Sequence, residues 1–302
     1  MQSNGALAPF FMAMSHWQTT RFAVDLGNPR VMGIVNVTPD SFAGGGRHVD
    51  AASAMAHCEA LLREGAHLLD IGGESTRPGS HPPSVDEELR RVLPVLRHAV
   101  TLGVPVSVDT SQPDVMRAAL DIGVDIVNDV RALQREGALK LLASHPSAGV
   151  CLMHMAGEPA TMQARAHHAD VLADVRGDVL AEVRTFLAAR LAEASAAGIA
   201  IERIVLDPGI GFGKTALDNL ALLRRQRELL DLGAPLLVGW SRKSTLGVVT
   251  GRPIHERLAA SVSAALIAVQ RGARVVRVHD VAATVDALAL WHNIENKNEG
   301  EL

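Results

Sequence analysis

Two kinds of stretch alternate along this chain: short, mostly apolar runs, and longer segments in which apolar residues return every three or four positions. The short runs are residues 31–37, 67–71, 104–108, 124–127, 149–153, 204–206, 235–239 and 274–278, eight in all. They are rich in Val, Ile and Leu and lack strict polar alternation, which fits parallel strands covered on both faces. Between them the period changes to helical. Ala54, Met55, Cys58, Leu61 and Leu62 share one face, closed by Gly65. Ser84 and Glu87 have capping-box spacing ahead of Leu89, Val92, Leu93 and Leu96, and Pro94 within that pattern should kink it. Ser111 reads as the cap of a helix with Pro113 in its first turn, ending by Gly123. Further helices are expected at 138–143, 171–197, 217–230, 254–269 and 281–291.

Eight strands alternating with helices over 302 residues predict a single-domain α/β fold, a (β/α)8 TIM barrel. The barrel is assigned to residues 21–294. Residues 1–20 read as an N-terminal extension without fixed structure, and 295–302 as a polar C-terminal tail. An open doubly wound sheet is the competing architecture. It normally has fewer strands and a glycine-rich turn after the first, where this chain has Thr38-Pro39-Asp40.

Composition narrows the function class. The net charge is −4, so no strong basic field argues for nucleic acid or an anionic membrane. The apolar run 6–14 is too short to span a bilayer and has no basic flank, and Met12 or Met14 within it is an expected alternative start. Two cysteines, Cys58 and Cys151, suit a reducing cytoplasm, with Cys151 expected in the core. Of the histidines, His154 is expected to pack at a barrel rim, and His167-His168 to sit on a surface loop. None has metal-site spacing.

The chemistry gathers where the strands end. Asn36, Asp70, Asp109, Asn128 with Asp129, Met153 with His154, Asp207, Ser241-Arg242-Lys243 and Arg277 with His279 stand at or just past the ends of the eight runs in order. One polar strand end is ordinarily a cap or turn; polar groups at all eight are what a barrel mouth carries. Asp207-Pro208-Gly209-Ile210-Gly211-Phe212-Gly213-Lys214 looks at first like a phosphate loop. That motif needs a glycine five residues before Gly213, and Pro208 stands there. Lys214 is read as a surface charge. Asp109, Asp207 and Asn128 suit a flat heterocycle with adjacent N–H donors, with Lys243 donating to a ring carbonyl or nitrogen and Arg277 stacking on the ring. Asn36, Arg77 and His279 could gather an anion, with Mg2+ shared with substrate phosphates rather than caged by protein. Ser244 and Thr245 begin a segment whose hydroxyls and free N–H groups either seat a carboxylate or simply cap a helix. The Gly- and Pro-rich stretches 38–49 and 72–83 read as lids.

Taken together, the chain resembles the dihydropteroate synthases of folate synthesis. The resemblance rests on Met32-Gly33-Ile34-Val35-Asn36-Val37-Thr38-Pro39-Asp40-Ser41-Phe42, on Asp70-Ile71-Gly72-Gly73-Glu74-Ser75-Thr76-Arg77-Pro78-Gly79, on Ser107-Val108-Asp109-Thr110, Asn128-Asp129, the Asp207–Lys214 stretch, Ser241-Arg242-Lys243-Ser244 and Arg277-Val278-His279-Asp280. It implies condensation of 6-hydroxymethyl-7,8-dihydropterin pyrophosphate with p-aminobenzoate, releasing pyrophosphate, with sulfonamides as mimics of the second substrate. It also implies site roles. Asp109, Asn128, Met153, Asp207, Gly239, Lys243 and Arg277 would hold the pterin. Thr76, Arg77, Pro78, Phe212 and Ser244 would surround p-aminobenzoate. Asn36, Arg77, Arg277 and His279 would serve the pyrophosphate, with Asn36 on Mg2+. Asp109, Lys243, Arg277 and His279 would be catalytic. A cytoplasmic homodimer is implied as well. The first loop departs from the family pattern Ser-Phe-Ser-Asp-Gly-Gly, reading Ser41-Phe42-Ala43-Gly44-Gly45-Gly46. Two rival readings are a pterin-dependent methyltransferase and a non-catalytic pterin-binding homologue.

Overall fold

The computed structural model describes residues 15–38, 47–74, 82–157 and 178–296. All eight apolar runs are strands. In this order they are β3 (Arg30–Asn36), β4 (Leu68–Gly72), β5 (Val106–Asp109), β6 (Ile126–Asp129), β7 (Gly149–Met153), β8 (Ile204–Asp207), β9 (Leu236–Val238) and β10 (Ala273–Val278). They close into one parallel barrel, β10 returning to pair with β3 at Val275↔Arg30 through Val278↔Gly33. The single-domain TIM barrel expected from the pattern is the fold.

Strand alternation sorts the barrel into an inside and an outside. Val31, Leu69, Ile71, Val106, Val108, Val127, Val150, Leu152, Ile204, Leu206 and Val276 face the helices and join the large outer core. Met32, Leu68, Ile126, Cys151, Val205, Leu237 and Val275 form a second, interior core. Two residues further along six of these seven strands come Asp70, Asn128, Met153, Asp207, Gly239 and Arg277. The same parity that fills the barrel floor therefore aims the polar strand ends into its mouth.

Nine α-helices occur among the described residues: α1 (Arg47–Arg63), α2 (Val85–Ala99), α3 (Pro113–Asp121), α4 (Ala138–Ser144), α5 (Val179–Ala196), α6 (Ala216–Arg225), α7 (Ser244–Thr250), α8 (Leu258–Gln270) and α9 (Val281–Asn296). Helix α2 is capped by Ser84, whose Oγ accepts the Glu87 N–H at 3.2 Å, and it continues past Pro94. Helix α3 departs from expectation. Its cap position is Gln112, without a side-chain bond, because the Ser111 hydroxyl donates instead to Asp129 at 2.5 Å. The expected helix 217–230 is two pieces. A reciprocal Thr215–Asp218 capping box starts α6, and a 3-10 turn, Gln226–Leu232, follows it. Helix α1 begins at Arg47, so the first proposed lid is shorter than 38–49. Residues 39–46 of that lid, 75–81 of the other, and His167-His168 lie outside the described residues.

The N-terminal boundary is also corrected. Residues 15–20 belong to the folded body. An antiparallel pair, β1 (His16–Gln18) and β2 (Ala23–Asp25), puts Trp17, Val24 and Leu26 into the interior core. Trp17 is fully buried and its Nε1 donates to the Arg203 carbonyl at 2.9 Å. A Cβ on Gly149 would stand 3.1 Å from that nitrogen, so a side chain there would crowd the plug.

Candidate active site

The C-terminal mouth of the barrel is organised by one guanidinium. Arg277, on β10, donates from Nε to Asp70 Oδ2 at 2.6 Å and from Nη2 to Asp109 Oδ2 at 2.7 Å. Asn128 Nδ2 donates to the same Asp70 oxygen at 3.2 Å. Asp70 is fully buried, and its second oxygen, Oδ1, has no hydrogen-bond partner among the described residues. Burial pushes the Asp109 carboxyl up to about 7. Arg277 opposes this, while Asp70, Glu74 and Glu88 add to it. The Arg277 pKa is raised: its burial is more than offset by Asp70 and Asp109.

Asp207 closes β8 with 6% exposure, and its Oδ1 accepts the Gly209 N–H at 2.7 Å. Its pKa is raised by burial, against the Gly209 bond and the nearby Lys243, Lys214 and Arg277. Lys243 Nζ lies 4.1 Å from the centre of the Phe212 ring, a cation–π contact joining the loops after β8 and β9. Burial, with help from Arg277, lowers the Lys243 pKa to about 8, against Asp207 and Asp109.

Lys243 is aimed by a strained turn. Arg242 has φ +58°, unfavourable for a side-chain-bearing residue. Several contacts hold it: its N–H donates to Ser261 Oγ at 2.9 Å, its guanidinium grips Asp280 at 3.1 and 2.5 Å, and Arg257 Nη1 donates to the Arg242 and Lys243 carbonyls. Such a conformation costs about 1 kcal/mol or more and persists only where the surroundings enforce it.

His279, just past β10, packs beside Ser241. The serine Oγ accepts the His279 backbone N–H at 3.1 Å and lies 3.0 Å from Nδ1. Burial and the cations Arg242 and Arg277 lower this histidine to about 3, so it is neutral at physiological pH. Asn36 ends β3 half-buried. Among the described residues no cluster of three His, Cys, Asp or Glu side chains could hold a metal by itself.

The mouth thus brings together Asp109, Asn128, Asp207, Lys243 and Arg277, with Phe212 and Ser241–His279 at its edge. Met153 and Gly239 end β7 and follow β9 as the alternation requires. Thr76, Arg77 and Pro78, and the altered loop at Ala43-Gly44, lie outside the described residues. Ser244 opens α7 but is no cap: Lys243 holds that position, and the neighbouring Thr245 Oγ1 accepts from Asn219 Nδ2 at 2.9 Å. His154 is 3% exposed, edge-on to Phe186, as expected of a packed rim residue.

Four residues carry more than sequence reading gave them. Asp70 was visible as a strand end but not as the anchor of Arg277; its parity with Leu68 was the available signal. Asn219 sits inside α6 and accepts the Gly211 N–H at 2.9 Å, with no motif to mark it. Asp129 accepts Ser111 and the N–H groups of Arg131 and Leu133. Lys214 is not a surface charge. It is 5% exposed, and its ammonium donates to the carbonyls of Gly209, His154 and Phe212 at 2.8, 3.2 and 3.3 Å.

Comparison with known proteins gives the family. A family model described as pterin binding enzyme matches residues 32–279. Dihydropteroate synthase from Neisseria meningitidis serogroup B is 52% identical over 286 residues, covering 93% of this chain and 98% of the relative. The Xanthomonas albilineans dihydropteroate synthase solved with 4-aminobenzoic acid is 49% identical, with a TM-score of 0.84 over 91% of this chain and 96% of the other. The same enzyme in complex with 7,8-dihydropteroate gives 47% identity and a TM-score of 0.81, over 91% and 97% of the two chains. Likeness of this degree over nearly the whole length separates the chain from pterin-dependent methyltransferases: it belongs to the pterin-binding enzymes, and within them to the transferases that are dihydropteroate synthases.

Proposed function

We propose that the barrel mouth joins 6-hydroxymethyl-7,8-dihydropterin pyrophosphate to p-aminobenzoate through the residues gathered around Arg277. The observation that carries this reading is the convergence of Asp109, Asn128, Asp207 and Arg277 from the ends of β5, β6, β8 and β10 on one mouth, where Arg277 bonds both Asp70 and Asp109. Asp207 accepts from the amino edge of the pterin through the oxygen that Gly209 does not occupy. Asn128, with one of its two amide N–H groups held by Asp70, offers its carbonyl oxygen to the same edge. Lys243 donates to the ring's carbonyl side, and Met153, Gly239 and Arg277 line its faces.

The diphosphate falls to Arg277, His279, Asn36 and Arg77. With Ser241 Oγ accepting a backbone N–H, the serine hydroxyl can donate to His279 Nδ1, which leaves Nε2–H as the donor toward an anion. The donor set suits a hard cation carried by substrate rather than one caged by protein: Asn36 would hold it through its amide oxygen. When bound, Mg2+ neutralises charge on the departing diphosphate.

The reaction is a displacement at the exocyclic methylene. The C–O bond breaks with its electron pair on the diphosphate, and the dihydropterin ring nitrogens delocalise the positive charge left on carbon. Asp109 stabilises that charge. The arylamine nitrogen of p-aminobenzoate, already unprotonated at neutral pH, forms the C–N bond and loses a proton. Phe212, Thr76 and Pro78 wall this substrate, while Ser244 and Arg77 serve its carboxylate.

We also assign the protein to the cytoplasm as a homodimer. Val248, Val249, Ile254 and Leu258 are 71%, 58%, 53% and 48% exposed along α7, the turn after it and α8, an apolar face suited to a second copy. No helix among the described residues is long and apolar enough to cross a membrane.

Asp109→Asn tests the assigned chemistry. It should keep pterin binding within a few-fold while turnover falls about 100-fold or more, as for loss of one preorganised charge. Unchanged turnover would remove Asp109 from the mechanism. A non-catalytic binder would hold pterin and release no pyrophosphate even in the wild type.

A further inference from the structure

The loop after β8 lies backbone to backbone against the segment after β7. Gly209 has φ +67°, and a Cβ on it would stand 1.8 Å from the His154 carbonyl oxygen. Gly213 repeats this, with φ +67° and a Cβ 2.2 Å from the Ala156 carbonyl oxygen. Both positions need glycine for conformation and for space. Two backbone bonds run along the seam, His154 N–H to the Asp207 carbonyl at 3.0 Å and Ala156 N–H to the Phe212 carbonyl at 3.4 Å. Contact this close leaves three carbonyls, those of His154, Gly209 and Phe212, turned toward one spot, and the Lys214 ammonium fills it with three donors.

Burial pulls the Lys214 pKa down to about 7, with Lys243 adding to the fall, while Asp207, Glu182 and Asp218 favour its charge, so the three carbonyls rather than the surrounding field define its seat. The His154 ring faces away onto Phe186, 4.9 Å between centroids, and its Nε2 lies 3.6 Å from Glu182 Oε1 on α5. The staple therefore joins the body of the barrel, through β7 and α5, to a loop that carries Asp207 at one end and Phe212 at the other. Asp207 is held by its strand as well as by the Gly209 N–H. Phe212 is half-buried in the loop; its carbonyl is bonded by Lys214 and Ala156, and its ring lies under Lys243.

We infer that Lys214 is a positioning residue for the second substrate: by tying the carbonyls of Gly209 and Phe212 to that of His154, it fixes the Phe212 wall without touching either substrate. The inference rests on the reading of Phe212 as part of the p-aminobenzoate site. It separates two properties of one loop, pterin affinity carried by Asp207 and p-aminobenzoate affinity carried by Phe212.

The experiment compares wild type, Lys214→Met and Lys214→Gln. Steady-state kinetics are measured against each substrate, pterin binding by calorimetry, and hydrogen exchange on the ligand-free proteins. Lys214→Met should raise KM for p-aminobenzoate about tenfold or more and leave the pterin dissociation constant within about threefold, the loss expected of hydrogen bonds to a charged donor. Lys214→Gln, which keeps two N–H donors, should recover part of that KM. Amides of residues 209–213 should exchange at least about tenfold faster in Lys214→Met, with those of β3–β6 unchanged. An unchanged KM, an equal loss for both substrates, or unaltered exchange would overturn the inference. So would failure of both variants to fold, which would make Lys214 a support of the barrel as a whole. Wild-type turnover run in parallel tests the assigned reaction, and exchange in the ligand-free protein tests the staple whether or not that reaction is correct.

Discussion

The two ends of this barrel are built from the same strands and differ in how they treat polarity. At the N-terminal end the interior is apolar, plugged by Trp17, Val24 and Leu26, and its buried acid is fully paired. Asp125 accepts from Arg21 N, Nε and Nη2 at 3.0, 3.0 and 2.6 Å and from the Val106 N–H at 2.9 Å. At the C-terminal end, two residues along the strands, Asp70, Asp109 and Asp207 share Arg277 and Lys243 as neighbouring cations. Asp70 Oδ1 and Ser107 Oγ are buried there without partners among the described residues. One end spends its polar groups on closing the fold; the other holds them ready for a ligand, at a cost in stability.

The contrast can be broken most forcefully at Arg277. Arg277→Ala should lower kcat/KM by about three orders of magnitude, since it removes a preorganised cation and leaves Asp70 and Asp109 facing each other. Turnover at saturating substrate, with thermal unfolding on the same sample, separates that loss from unfolding. At the other end Trp17→Ala should do the reverse. Emptying the plug should cost about 3–4 kcal/mol of unfolding free energy, as truncation of a large buried aromatic does, and leave kcat within about twofold at temperatures where the protein is folded. A loss of kcat in the folded variant would show that the ends are not separable.

Glu88 on α2 sharpens the comparison from behind the mouth. It is fully buried, and burial, reinforced by Glu74, pushes its carboxyl up to about 7. A carboxyl raised above its unfolded value of 4.5 keeps its proton in the folded state, so stability is lost as pH rises from about 4.5 to about 7. Glu88→Gln lacks this titration. The stability of wild type relative to the variant should therefore fall across that window by up to about 3 kcal/mol and level off above it. Urea unfolding at pH 5, 6, 7 and 8 checks the sign; a rise with pH would refute it.

Sequence legibility follows the same division. The eight strands were readable because fully covered parallel strands need runs dominated by Val, Ile and Leu. Asp109, Asn128, Asp207 and Arg277 were readable because each ends such a run in the right parity. The plug was missed for the opposite reason: β1 and β2 are three residues each with one buried side chain apiece, too short for any period to register. Ser111 looked like a cap because Pro113 follows it, yet its hydroxyl is claimed by Asp129, a partner 18 residues away. Lys214 looked like a surface charge because glycines surround it. Those glycines are what let two backbones meet and leave three carbonyls for its ammonium, a requirement no local pattern records.

The central claim is that the residues at the C-terminal mouth carry the reaction, and product formation tests it most directly. Purified wild-type protein is given dihydropterin pyrophosphate, Mg2+ and p-aminobenzoate, and pyrophosphate and 7,8-dihydropteroate are counted together. The account expects one pyrophosphate released for each dihydropteroate formed, with both lost in Arg277→Ala and both kept in Trp17→Ala. Folded wild-type protein that forms neither product, or an Arg277→Ala variant that turns over normally, would contradict it.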